Sequence, residues 1–417
     1  MTVRHHSVVI VGGGAAGISV AANLERTSPG QDVALIEPCE DHFYQPAFTL
    51  VGAGVTTLAT TRRFEVDLLP RHTTWIRDRV AGFEPEANQV VLGNGERVSY
   101  DFLIVCPGLQ LDWGKVEGLT ATIGKHGVCS NYSPNYAPYT WECVQNTRHG
   151  RALFTQSPMP IKCPGAPQKA AYLAADRWRR AGIAGDVEVC FLTAAPAIFG
   201  VPLFAKELLK VVERYGIKLH TQTNLVAIDG PEKTATFERA LPDGAKERFS
   251  LSFEMCHVTP PMGPPDCVRH SPLANAAGYV EVSDSTLQHV RYPNVFGLGD
   301  ACSTGNSKTA AAVRKQMPVV VDNLLAVAAG QPLPGVYDGY ASCPLTTSLD
   351  AVILAEFCYG GKVTPSFPMD PRPERWIWWI GKKYGLPLLY WNYMLKGIDF
   401  DIPHKASYMD SYPDAAG

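Results

Sequence analysis

No run of eighteen consecutive apolar residues occurs in the 417-residue chain, so no segment is long enough to cross a bilayer as a helix. A basic surplus is missing too: 37 lysines and arginines stand against 40 acidic residues, which excludes the electrostatic footprint of a nucleic-acid binder. The chain has no low-complexity tract and no self-similarity at solenoid periods. The first strand-like run starts at about Val8, leaving no room ahead of it for a signal or transit peptide, so the expected compartment is the one where translation leaves the chain. With 46% hydrophobic and 18% charged residues, the composition is that of a globular protein of two or three cooperating domains. Eleven cysteines is a high, odd number. In a chain without an export signal the default is reduced thiols, with any disulfide catalytic. Cys190 and Cys256, in apolar strand-like runs, are expected to be inert core.

The N-terminus reads as strand, glycine turn and helix: Val8 to Val11, then Gly12, Gly14 and Gly17, then a helical stretch through Leu24. The next apolar run, Val33 to Ile36, ends at Glu37, twenty positions past Gly17. This is a complete βαβ dinucleotide fingerprint, in which the glycines admit a pyrophosphate to the helix N-terminus and Glu37 accepts from ribose hydroxyls. NAD and FAD share the fingerprint. Asn294 to Asp300 (NVFGLGD) favours FAD, because it resembles the late-returning block of two-dinucleotide-domain flavoproteins whose aspartate reaches the ribityl chain. A helix resuming at Ser307 would bring Lys308 to the pyrimidine edge of the flavin, where reduction develops negative charge.

A second glycine-rich turn is also missing. Strand-like Ala152 to Thr155 and Val187 to Thr193 flank a predicted helix, Lys169 to Arg180, but the connecting PMPIKCPGAPQK (Pro158 to Lys169) has one glycine and several prolines without N–H donors. NADH is therefore not the expected reductant. Cys163 stands in this loop, beside Lys162 and near a helix start, both of which stabilise a thiolate. The other cysteine to single out is Cys343, in SCPLTT. Near the C-terminus, Arg375 to Gly397 holds four of the eight tryptophans, interleaved with Lys382, Lys383 and Lys396, the composition of a membrane-interface segment.

Five blocks carry a specific resemblance: YQPAFTLVGAG (Tyr44 to Gly54), IKCPGAPQK (Ile161 to Lys169), EMCHVTPPMGPPD (Glu254 to Asp266), RYPNVFGLGDACSTGNSKTAAAV (Arg291 to Val313) and YDGYASCPLTT (Tyr337 to Thr347). Together they resemble the mitochondrial-type sulfide:quinone oxidoreductases over nearly the whole chain. The resemblance implies an α/β fold of two Rossmann-like domains, glutathione-reductase-like, with a C-terminal membrane-interface segment. Its expected division is 1–110 for the first part of the FAD domain, 111–285 for a second Rossmann-like domain, 286–365 for the FAD domain's return and 366–417 for the membrane and quinone segment. FAD contacts are implied at Gly14, Glu37, Gln45, Val80, Asp300, Lys308, Thr309, Ala310 and Ala311, and a redox pair at Cys163 and Cys343. Implied partners are hydrogen sulfide, a ubiquinone-like quinone and a sulfane-sulfur acceptor such as glutathione, sulfite or cyanide. No metal is implied.

Two departures from that pattern matter. A transit segment is missing, so the expectation is a bacterial protein, peripheral on the cytoplasmic membrane. Cys129 is an extra cysteine that could assist the pair. Trp376, Phe357 and Tyr390 are candidate quinone contacts, and His257 is a candidate base. Rival readings are a type II NADH:quinone oxidoreductase, a flavocytochrome-type sulfide dehydrogenase and a non-enzymatic flavin redox sensor.

Overall fold

A computed structural model describes residues 3–400 and 402–412. Strand β1 (Arg4–Val11) is paired in parallel on both sides, and its β-branched half is fully buried. Such residues fill a sheet that is covered on both faces. The chain passes through Gly12 into helix α1 (Ala15–Thr27) and returns as β2 (Val33–Ile36), which pairs outward with β3 (Thr73–Ile76). The antiparallel strands β4 (Val80–Glu84) and β5 (Gln89–Leu92) lead into β6 (Arg97–Val105), which lies on the other side of β1. Two glycines are dictated by close approach. A Cβ on Gly17 would lie 1.9 Å from the Gly12 carbonyl oxygen, and one on Gly12, at φ +105°, would lie 2.6 Å from that of Cys106.

A second parallel sheet follows, built from β7 (Val128–Cys129), β8 (Gly150–Gln156), β9 (Val187–Thr193), β10 (Lys218–His220) and β11 (Met255–His257), in the order β7-β11-β8-β9-β10. Helix α2 (Ala166–Arg180) makes the β8-to-β9 crossover and α3 (Pro202–Arg214) the next. Helix α2 starts three residues earlier than predicted, because a proline in a helix's first turn costs no hydrogen bond and favours initiation. Through the proline-rich 260–266 connector the chain returns to the first sheet, where β12 (Val295–Gly297) pairs with the end of β6.

Helix α4 (Ala310–Ala328) begins later than Ser307, since Thr309 takes the N-cap position and its hydroxyl accepts the Ala312 N–H. The hairpin β13 (Ala341–Thr346) and β14 (Val352–Phe357) then packs beside α2 and the second sheet. Last come α5 (Trp376–Ile380), a π-helical turn (Gly381–Gly385) and α6 (Leu386–Asn392). This segment is half core. Tyr390, Trp391, Met394 and Leu395 pack with α1 and α4, and Asn23 donates to the Gly397 carbonyl at 2.8 Å. Among the described residues no helix is long and apolar enough to cross a membrane. The two Rossmann-like sheets agree with the α/β fold expected from the sequence.

Candidate functional site

The β8–α2 connection is where a nucleotide-binding βαβ unit carries its glycine turn. Here it holds Cys163, in the left-handed region at φ 48°, a conformation that residues other than glycine seldom adopt. Its N–H donates to Lys308 O and its carbonyl accepts from Ala166 N, both at 2.8 Å. Cys343 sits within β13, buried. The two sulfurs, 180 positions apart in sequence, lie 3.5 Å from each other. Lys169, in the first turns of α2, brings Nζ within 3.2 Å of Cys163 Sγ and 3.8 Å of Cys343 Sγ.

These contacts divide the charge unequally. The Cys163 thiol is held well below its ordinary range, chiefly because Cys343 donates to it; burial opposes this, and the Lys169 and Lys382 charges reinforce it. Cys343 is pushed well above its range by that same contact and by burial. Lys169 remains an ammonium: burial works against the charge, and the two sulfurs outweigh it. In its reduced form the pair therefore favours a negative charge on Cys163, beside the Lys169 cation.

The second cation was not legible in the sequence. Lys382, on the π-helical turn, is buried and donates to Pro46 O at 2.8 Å. Burial and the like charge of Lys169 pull it down to about 7, against the attraction of the sulfurs. Lys162, read as the cation beside Cys163, instead donates to Gln45 Oε1 at 3.3 Å and is attracted by Asp300.

Gly12, Gly14 and Gly17 form the turn into α1, whose N-terminus has no side-chain cap, and a Cβ on Gly14 would meet nothing within 4 Å. Those unpartnered helix N–H groups and the open space suit a pyrophosphate. Glu37 accepts the Gly13 N–H at 2.8 Å and that of Cys39 at 2.9 Å. Nearby Glu65, which lies against Gly13, keeps a buried carboxylate oxygen without a partner, an acceptor suited to a ribose hydroxyl. A dinucleotide therefore fits this turn. Val80 opens β4, and Asp300 follows the β12 turn. Thr309, Ala310 and Ala311 form the start of α4, while Lys308 stands just ahead of it with Nζ donating to the Cys302 and Thr304 carbonyls at 2.7 and 3.0 Å.

The other candidates make contacts of their own. Cys129 is buried against Cys143 and Thr140, its thiol pushed up chiefly by burial. Nε2 of His257 accepts the Asn131 N–H at 3.0 Å, and burial pulls the ring down to about 4, so it is a neutral core histidine. Phe357 packs on Phe199, and Tyr390 bonds His42 Nε2 at 2.6 Å, so both are core and not an open ring-binding surface. Trp376 is 67% exposed, and Ile377, Ile380, Tyr384 and Leu388 along the same helical stretch are exposed with it.

Residues 6–133 match the pyridine nucleotide-disulphide oxidoreductase family. The mitochondrial sulfide:quinone oxidoreductase of Dictyostelium discoideum is 43% identical over 393 residues, spanning 94% of this chain and 86% of that protein. The mitochondrial enzyme of Mus musculus is 40% identical over 394 residues, spanning 94% and 87%. The crystal structure of the sulfide:quinone oxidoreductase from Aquifex aeolicus superposes with a TM-score of 0.77 at 19% identity, over 95% of this chain and 92% of that one, a likeness of fold. The expectation of a bacterial membrane protein is corrected, since the relatives at 40% identity and above are mitochondrial proteins of eukaryotes and point to that setting. A targeting segment is removed and takes no part in packing, so an early first strand carries no information about compartment. On this similarity, along nearly its whole length, the chain belongs to the sulfide:quinone oxidoreductases, flavin-dependent enzymes.

Proposed function

We propose that the chain oxidises sulfide at Cys163 and Cys343 and passes two electrons through FAD to a membrane quinone. The observation that carries this reading is the 3.5 Å sulfur pair with Lys169 beside it, formed at Cys163 in the loop where a second nucleotide would otherwise be held. FAD, when bound, would supply a two-electron acceptor for the sulfurs and a two-electron donor to quinone. Gly12, Gly14, Gly17, Glu37, Gln45, Val80, Asp300 and the 308–311 segment are the residues that would hold it. The Cys163 N–H on Lys308 O ties the sulfur loop to that segment.

The resting pair is a disulfide, or the same two sulfurs joined through one more. A bridging sulfur would set its neighbours about 3.3 Å apart at ordinary S–S bond lengths, near the separation observed. Hydrosulfide, drawn in by Lys169 and Lys382, attacks Cys343 Sγ. In the disulfide form the S–S bond breaks, leaving a persulfide on Cys343 and a thiolate on Cys163; in the sulfur-bridged form Cys163 departs with the bridging sulfur, as a persulfide anion. The Cys163 sulfur is the better leaving group, because the Lys169 and Lys382 charges favour its anion. A nucleophile such as glutathione, sulfite, cyanide or a second sulfide removes the sulfane sulfur and leaves Cys343 as thiolate. Re-forming the S–S bond releases two electrons, which balances oxidation of sulfide to the zero-valent level.

The quinone lives in the bilayer, and the exposed face of Trp376, Ile377, Ile380 and Leu388 would seat the protein on it. Arg62, Arg63 and Lys396 line a groove with Trp391 where lipid phosphates would sit. Anaerobic sulfide titration of the full-length flavoprotein tests the reading. Stoichiometric bleaching of the flavin is expected, with none in Cys163→Ser or Cys343→Ser despite retained flavin and normal bleaching by dithionite. Bleaching by NADH alone, or undiminished sulfide bleaching in both variants, would sink it.

A further inference from the structure

The hairpin that carries Cys343 has a second cluster at its open end, where Ala341 pairs with Phe357. Asp338 lies just before β13 and Cys358 just after β14. The C-terminal tail returns to the same place: His404 lies over Tyr340 with ring centroids 4.3 Å apart, and the Lys405 N–H donates to Pro365 O at 3.1 Å. One donor atom from each of Asp338, Cys358 and His404 lies within 4.8 Å of the other two. Asp338 Oδ2 is 3.3 Å from Cys358 Sγ and 2.8 Å from His404 Nε2. None of these groups takes part in the sulfide chemistry.

We propose that Asp338, Cys358 and His404 are a binding site for a zinc-class transition-metal ion that pins the C-terminal tail to the hairpin bearing Cys343. One thiolate, one imidazole and one carboxylate form a donor set for Zn²⁺, whereas Ca²⁺ and Mg²⁺ take oxygen. With the Cys358 thiol proton released to solvent as the ion binds, two anionic donors balance a divalent charge. Bond lengths of 2.0–2.3 Å set neighbouring tetrahedral donors about 3.5 Å apart, so the sulfur–oxygen spacing already suits the ion and the nitrogen must open by about half an ångström. The supporting contacts are in place. The Tyr340 N–H holds Asp338 Oδ1 at 3.1 Å, leaving Oδ2 for the ion, and the Thr364 hydroxyl lies 3.2 Å from Cys358 Sγ. Asp338 is half exposed, which leaves one side open for water as a fourth ligand.

The test uses the full-length flavoprotein, stripped with chelator, in a Cys163→Ser/Cys343→Ser background so that the sulfur pair supplies no competing thiolate. Equilibrium dialysis against ZnCl₂ with elemental analysis should find one zinc per chain. X-ray absorption should find a single sulfur at about 2.3 Å. His404→Ala, in the tail, and the near-isosteric Cys358→Ser should each weaken uptake by about tenfold or more, and zinc should slow tryptic cleavage after Lys405. Should Cys358→Ser fail to fold, His404→Ala alone decides. Failure to take up zinc, a coordination shell without sulfur, or uptake unchanged in His404→Ala overturns the proposal.

Discussion

The sulfur pair depends on two buried lysines that contribute in different ways. Lys169 stays charged because the sulfurs outweigh its burial, so it sets the thiolate on Cys163. Lys169→Met should lower the rate of Cys163 alkylation by iodoacetamide at pH 7 by about tenfold or more, measured in a Cys343→Ser background; an unchanged rate would leave Lys169 a packing residue only. Lys382 is held down to about 7 from an ordinary value of 10.5. Between those values the unfolded chain binds a proton that the folded chain has released, so this group makes stability rise with pH across the window and leaves it flat below. Lys382→Met should therefore stabilise the protein at pH 6 by on the order of 3 kcal/mol and by much less at pH 10, read from denaturant midpoints of both proteins at both pH values. A gain that is the same at both would mean the lysine is not deprotonated by burial. The variant should also slow sulfide-dependent bleaching at pH 6, where the ammonium is present in the wild type.

At the scale of elements, α2 and β13 are keyed together by a single glycine. A Cβ on Gly165, the residue capping α2, would lie 2.4 Å from Leu345 Cδ2 and 2.6 Å from Cys343 Sγ. Gly165→Ala should cost about 1–3 kcal/mol as overpacking and force the sulfurs apart, so re-oxidation of the reduced pair, followed by thiol titration, should slow more than the loss of stability accounts for. The glycine turn at Gly12 to Gly17, β2 and the loop around Cys163 are legible in the sequence because local chemistry fixes each: close backbone approach, β-branched burial, proline without N–H. Contacts made by folding back are not. Lys162 is the neighbour of Cys163 in sequence, yet it is Lys169 that the helix turns toward the sulfurs. Nothing local separates Lys382, which is buried, from Lys383 beside it.

For the whole molecule, the C-terminal segment joins three tasks that the sequence presents as one. Its aromatic-rich composition reads as a membrane surface, and Trp376, Ile377, Ile380 and Leu388 are exposed as such a surface requires. The same stretch fills the first domain's core with Tyr390, Trp391 and Leu395, and it delivers Lys382 to the sulfur site. Deleting everything from Arg375 onward would therefore remove core and site together and could not isolate membrane contact. Substituting only the exposed face can. In the variant Trp376→Gln/Ile377→Gln/Ile380→Gln/Leu388→Gln each position gives up part of the roughly 1.5–3 kcal/mol that a large apolar side chain gains on leaving water. Sedimentation with liposomes should accordingly weaken by about a hundredfold or more, and turnover with a long-chain quinone in those liposomes should fall with it. Sulfide bleaching of the flavin and turnover with a water-soluble short-chain quinone should be kept, because neither the sulfur pair nor the dinucleotide turn is touched. Liposome binding equal to wild type would assign this face to some other contact and leave the route to the bilayer quinone elsewhere on the molecule.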